Sequence, residues 1–159
     1  MNDIKLRSSF SYWIIKNIPF FIILGAITYF HDMASGSPVF TMGIFAVAVC
    51  LTLYLFYNFI SSLLFTKWIV TDEQIKIYRG VFLRTIDYIE LYRIYDYQEK
   101  RNILQVITNN STIVIYSGDK SHPVLVIPGI PRKGDTIQNI RSRVEQQKTK
   151  KGIYEFTNR

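Results

Sequence analysis

Cysteine is almost missing from this chain: Cys50 is the only one in 159 residues, so no disulfide can form within it. Histidine is nearly as scarce. His31 and His122 are far apart, and no Cys/His spacing suited to a metal is present. The phosphate-binding glycine patterns GxxxxGKS/T and GxGxxG are absent, and so is the GxSxG nucleophile turn. These absences leave no catalytic constellation, no metal site and no cofactor site, and the chain is read as a non-enzyme. Charge is missing too, over two long runs. No Asp, Glu, Lys or Arg occurs from Asn17 to His31 or from Met33 to Thr66.

What fills these runs is apolar. Hydrophobic residues make up 48% of the chain and aromatics 15%, which excludes a disordered protein. Pro38 to Phe65 exceeds the ~20 residues that cross a ~30 Å hydrocarbon core. Asn17 to Phe30 covers only about 21 Å at ~1.5 Å per residue. Extended back to Tyr12 it takes in Lys16, which can snorkel from a helix end. Two transmembrane helices are therefore expected, at about 12–31 and 38–65, joined by a turn containing Gly36 and Pro38. Tyr12, Trp13, Tyr29 and Trp68 fall near the expected boundaries, as an aromatic belt requires. Lys5, Arg7, Lys16 and Lys67 lie on one side of the hairpin, while the connecting turn carries only Asp32. The positive-inside rule then places both termini in the cytoplasm. In the second run Met42, Ala46, Cys50, Tyr54, Asn58 and Ser62 recur at i, i+4. Asn58 and Ser62 match Asn17 in depth, so these three are candidate interhelical contacts. Residues 1–66 are read as an N-terminal flank plus this hairpin.

Past Thr66 the texture changes. Of the 19 Lys and Arg, all but Lys5, Arg7 and Lys16 lie there, and so do all acids but Asp3 and Asp32. Ile75 to Arg79 alternates and ends at the Arg79-Gly80 turn. Phe82–Leu91, Arg93–Glu99, Ile103–Thr108, Thr112–Tyr116 and Val124–Ile127 read as further strands, with turns at Asn109-Asn110 and Ser117–Lys120. About seven short antiparallel strands are expected. Then the period changes. Asp135 is a candidate N-cap with Gln138 three residues later, and Ile137, Ile140 and Val144 form one apolar face. An amphipathic helix after the strands closes one end of a partly open barrel, giving a domain over 67–150 and a tail over 151–159.

Two surfaces stand out. Lys67, Arg132, Lys133, Lys148, Lys150 and Lys151 are candidates for contact with anionic lipid, against the plainer reading of a solvated basic helix end. Tyr95 and Tyr97 are two apart and share a strand face by alternation, with Ile94 and Asp96 on the other. The tyrosines either form a partner surface or line the core, and the sequence leaves both open.

The order of elements resembles a known family. Lys67-Trp68-Ile69-Val70-Thr71-Asp72-Glu73-Gln74-Ile75, then Tyr78-Arg79-Gly80-Val81-Phe82, then Ile89-Glu90-Leu91-Tyr92-Arg93-Ile94-Tyr95-Asp96 follow a membrane hairpin. This is similar to the bacterial PH-like domain membrane proteins of the YdbS/YdbT-like group. The resemblance implies a PH-like barrel at the cytoplasmic face of a bacterial inner membrane. It implies no particular activity, because that fold is mainly a scaffold. The expected role is a scaffold or adaptor that binds a membrane or cytoplasmic protein, with self-association open. The alternatives are an accessory subunit of a transporter or secretion complex, or an anionic-lipid or ligand sensor. Phosphoinositide binding needs a basic first hairpin loop, and Thr71-Asp72-Glu73 is short and acidic. Nucleic acid is not an expected partner, since the basic residues are interleaved with acids.

Overall fold

The computed structural model describes residues 3–33, 38–132, 134 and 136–153, with the side chains of 32 and 33 left aside. Lys133, the Asp135 cap, the turn at Gly36 and the end of the tail lie outside the described residues.

Two long helices dominate the front of the chain. α1 runs Phe10–Met33 and α2 runs Pro38–Phe59, continuing as a π-helical segment over Ile60–Phe65. Both are long and apolar enough to cross a membrane. α1 is longer than the charge pattern suggested. It starts two residues before Tyr12 and accommodates Pro19 in its third turn, so its 24 residues reach about 36 Å. Thr66 ends the π segment by donating both its N–H and its hydroxyl to the Ser61 carbonyl, at 3.1 and 2.9 Å.

A strand precedes the hairpin. β1, Ile4–Leu6, pairs antiparallel with β2, Lys67–Val70, so that Ile4 faces Val70 and Leu6 faces Trp68. β3 (Gln74–Arg79) and β4 (Thr85–Glu90) complete a sheet in the order β1-β2-β3-β4. After a 3-10 corner at Leu91–Arg93, β5 (Ile94–Lys100), β6 (Asn110–Ser117) and β7 (Val124–Pro131) form a second antiparallel sheet. Seven antiparallel strands result, but the membership differs from expectation. Ile4–Leu6 and Lys67–Val70 join, and Ile103–Thr108 leaves, because Ile103–Ile107 is a short helix, α3. Its Asn102 cap accepts from the Gln105 N–H at 2.7 Å, and the Gln105 side chain accepts from the Asn102 N–H at 3.1 Å. This reciprocal cap starts a helix where β-branched residues alone favour a strand. Asn109, with φ of 52°, ends it.

The core lies between the two sheets and under α4, Thr136–Lys150. Val70, Ile75, Ile77, Ile89, Ile115 and Ile127 are fully enclosed, and Ile140 and Val144 of α4 close the barrel end. Trp68 belongs to this core rather than to a membrane boundary. Arg143 of α4 is buried despite its charge. It donates to the Val70 carbonyl at 3.0 Å and pairs with Asp72 at 3.3 Å, tying the helix to the end of β2.

The hairpin is seated on the second sheet. The Ser9 N–H donates to the Gly129 carbonyl at 2.7 Å, and the Ser8 hydroxyl donates to the Pro128 carbonyl at 2.7 Å. Gly129 has φ of +65°, and a Cβ there would overlap the Tyr12 ring.

Two stability outcomes follow. Gly129→Ala should destabilise the purified protein by at least ~1 kcal/mol more than Gly134→Ala. Both glycines have positive φ, but Gly134 has open space around it, so only Gly129 adds a clash to the backbone cost. Equal melting temperatures for the two variants would remove Tyr12 as a constraint. Arg143→Leu should cost about 1–3 kcal/mol, since the buried Val70 carbonyl loses its side-chain donor. Thermal or denaturant unfolding reads it directly.

Candidate functional site

The strands run back and forth between two unlike ends. At the hairpin end lie the connections 80–84 and 101–109 and the exit of β7 at Pro131, beside α1 and the π segment. At the far end lie the turns 71–73, 91–93 and 118–123, joined by the Leu91 N–H to the Glu73 carbonyl and the Gly118 N–H to the Arg93 carbonyl. The far turns are polar. The Arg93 guanidinium meets Asp119 at 3.1 Å, and His122 lies 3.5 Å from Asp87. The Asp119 carboxylate is held below its usual range, chiefly by accepting from the backbone N–H of Ser121, then by that of His122 and by the Arg93 charge. Arg93 is in turn raised, first by its hydrogen bond to the Tyr92 hydroxyl. This cluster shapes a turn. Among the described residues no group of three or more His, Cys, Asp and Glu is placed to hold a metal.

Tyr95 and Tyr97 do not share a face. The ladder between β5 and β6 shifts register between Ile94 and Asp96, which inserts Tyr95 as an extra residue. Strict alternation therefore fails at this point. Ile94 and Tyr97 turn toward the core, Tyr97 opposite the buried Ile115, while Tyr95 stays 61% exposed. The Tyr95 ring sits 6.4 Å from that of Tyr116 on the outer face of the second sheet. Tyr116 is paired with Val124, and Val114 with Val126, so the exposed Val124 and Val126 extend this outer apolar patch. On the other side, Tyr95, Asp96 and Tyr97 border a groove of about 510 Å³ against α4, lined also by Arg141, Lys148 and Ile153.

The basic residues separate into two groups. Lys67 is at the hairpin end, its ammonium 4.5 Å from the Tyr78 ring centroid. Arg132 is there as well, its N–H bonded to the Asn109 carbonyl at 3.0 Å. Lys148, Lys150 and Lys151 lie toward the opposite end, where the Lys151 ammonium covers the Tyr92 ring at 4.1 Å. α4 starts beside the hairpin and runs away from it, so the expected single basic surface is divided.

The interhelical polar contacts are also corrected. Asn17 is buried but donates to its own helix, to the Trp13 carbonyl at 2.7 Å. Asn58 likewise reaches back four residues to the Tyr54 hydroxyl at 3.3 Å, and Ser62 falls in the π segment. The helices meet through rings instead: Trp13 edge-on to Phe59 at 5.3 Å and Phe20 against Tyr54 at 5.1 Å.

Two features escaped the sequence reading. The outer patch depends on a bulge that no residue pattern announces. The short helix α3 was signalled by Asn102 with Gln105 three residues on, a capping pattern set inside a run that otherwise reads as strand.

None of the curated proteins and none of the solved structures compared with this chain matches it. A family model does: that of the bacterial PH domain, over residues 19–146. The match begins inside α1 and ends inside α4, so it takes in most of the hairpin and the strands β2 to β7, leaving β1 outside it. With most of its length under that model, the chain belongs to the bacterial PH domain family.

Proposed function

We propose that this protein is a membrane-anchored PH-like scaffold or adaptor, held at the cytoplasmic face of the inner membrane, that binds a protein partner without performing chemistry. The observation that carries the reading is the apolar patch Tyr95, Tyr116, Val124 and Val126 on the outer face of the second sheet. A tyrosine pair beside exposed valines suits a protein interface, since Tyr buries a large ring and keeps its hydroxyl wet. Lys5 and Arg7 precede α1, Lys16 lies in its second turn and Lys67 follows the π segment, all at the domain end of the two apolar helices, which supports a cytoplasmic domain.

A second reading is an accessory subunit recognised through its spans. It is favoured by an apolar groove of about 610 Å³ at the turn end of the hairpin, bordered by Ile27, Phe30, Val39, Gly43 and Val47. A partner helix in such a groove would pack closely over Gly43.

Topology is tested with single cysteines at positions 35 and 150 in a Cys50→Ala background. An impermeant maleimide added to intact spheroplasts should label position 35 and spare 150, and the reverse pattern would overturn the orientation. Partner binding is tested with Tyr95→Ser combined with Val124→Ser. Both residues are exposed, so the melting temperature should change little while a co-purifying protein is lost. Loss with Gly43→Leu instead would favour the second reading, and retention with both variants would defeat the two together.

A further inference from the structure

α3 is folded inside out. Its polar Gln105 is buried, donating to the Thr112 hydroxyl at 2.9 Å and completing the cap with Asn102, while Ile103, Leu104, Val106 and Ile107 all face outward. Ile103 is 80% exposed and Ile107 74%. The reciprocal cap and the bond to β6 hold this orientation, so the helix cannot simply roll its isoleucines into the core. The β3–β4 connection has the same character. Phe82 and Leu83 are each 87% exposed at its tip, and the positive φ of Gly80 lets the chain turn tightly there against the Leu83 carbonyl.

Neither feature is placed at random. α3 touches α1, and the β3–β4 connection lies against the π segment, with the Arg84 guanidinium 5.6 Å from the Phe65 ring centroid. Both thus sit where the two apolar helices join the domain. The far connections, 71–73, 91–93 and 118–123, carry no such apolar tips. Exposed basic residues adjoin each tip: Arg79 and Arg84 beside Phe82, Lys100 and Arg101 before α3.

We propose that Phe82 and Leu83, beside the π segment, and the outward face of α3, beside α1, insert into the bilayer interface and seat the PH-like domain on the lipid. Apolar side chains at the membrane boundary, flanked by long basic ones that reach back to the headgroups, are the chemistry of interfacial anchoring. In water the same residues form an unpartnered apolar surface, and their continuity with the spans identifies lipid as what covers them. The domain is then held at three points and cannot pivot freely about the hairpin. The proposal rests on the membrane-anchored reading above.

The test places single nitroxide-labelled cysteines at Phe82, Ile107, Leu53 and Lys120 of the full chain, in a Cys50→Ala background. Each variant is reconstituted at one copy per nanodisc in phosphatidylethanolamine and phosphatidylglycerol, with no other protein. Collision with oxygen, which concentrates in lipid, is compared with collision with a water-soluble nickel chelate. Leu53, near the middle of the apolar stretch Pro38–Phe65, reports on the span, and Lys120, in the far turn, reports on water. Labels at Phe82 and Ile107 should fall between Leu53 and Lys120, with an oxygen-to-nickel ratio several-fold above that at Lys120. Ratios at Phe82 and Ile107 equal to Lys120, with Leu53 still shielded, would overturn the seating alone. A water-like ratio at Leu53 would overturn the anchoring with it. Should a label disturb the fold, the unsubstituted chain with a photoactivatable phospholipid serves instead. Adducts on the peptides holding 82–83 and 103–107 support the seating, and adducts confined to α1 and α2 refute it. If the tips are water-accessible in nanodiscs yet protected in native membranes, a protein covers them and the proposal fails.

Discussion

The structure depends on one short ladder, that between Ile4–Leu6 and Lys67–Val70. The chain enters the helical hairpin from one of these strands and returns into the other. A hairpin joined to its domain by a single exit strand would be free to swing. Here both ends of the hairpin are fixed in adjacent strands of one sheet, and Leu6 and Trp68 carry that joint into the core. The second sheet adds its own hold through the Gly129 carbonyl and the close approach of Tyr12 to a residue without a Cβ. The hairpin base and the domain are thus one packed unit rather than an anchor and its cargo.

That joint gives the domain a polarity. Because β2 starts at the hairpin, every second connection lies beside the hairpin and every other one lies away from it. The near connections present Phe82, Leu83 and the outward face of α3, and the far ones present charged turns such as that organised by Asp119. The outer face of the second sheet, with Tyr95 and Tyr116, is a third kind of surface. The lipid proposed for the near end and the protein proposed for the flank would make compatible demands, because the sheets hold the two surfaces in fixed relation.

Buried polar groups sharpen this arrangement instead of merely stabilising it. Arg143 spends a charge to clamp α4 against the end of β2, and Gln105 spends an amide to keep α3 apolar side out. Removing either partner would leave a buried polar group uncompensated, so each contact favours the observed packing over others that apolar contacts alone would permit.

The sequence by itself determined the two apolar spans, their charge asymmetry, the change to an antiparallel β domain after Thr66 and the closing amphipathic helix. Those features are local. They are written in the length of uncharged runs and in periods of two or near four residues, and no distant partner is needed to read them. The tertiary structure decided everything that depends on pairing across the chain. Ile4–Leu6 is too short to declare itself a strand without Lys67–Val70 beside it. The parity of Tyr95 and Tyr97 turned on a register shift set by β6, and the depth of Asn17 said nothing of its bond to the Trp13 carbonyl. The basic residues looked like one surface because they are all Lys and Arg, yet the direction of α4 separates Lys67 from Lys151. Ile103–Ile107 shows the limit most plainly: its residues prefer a strand, and a capping pair together with a buried Thr112 contact made it a helix with its apolar side out.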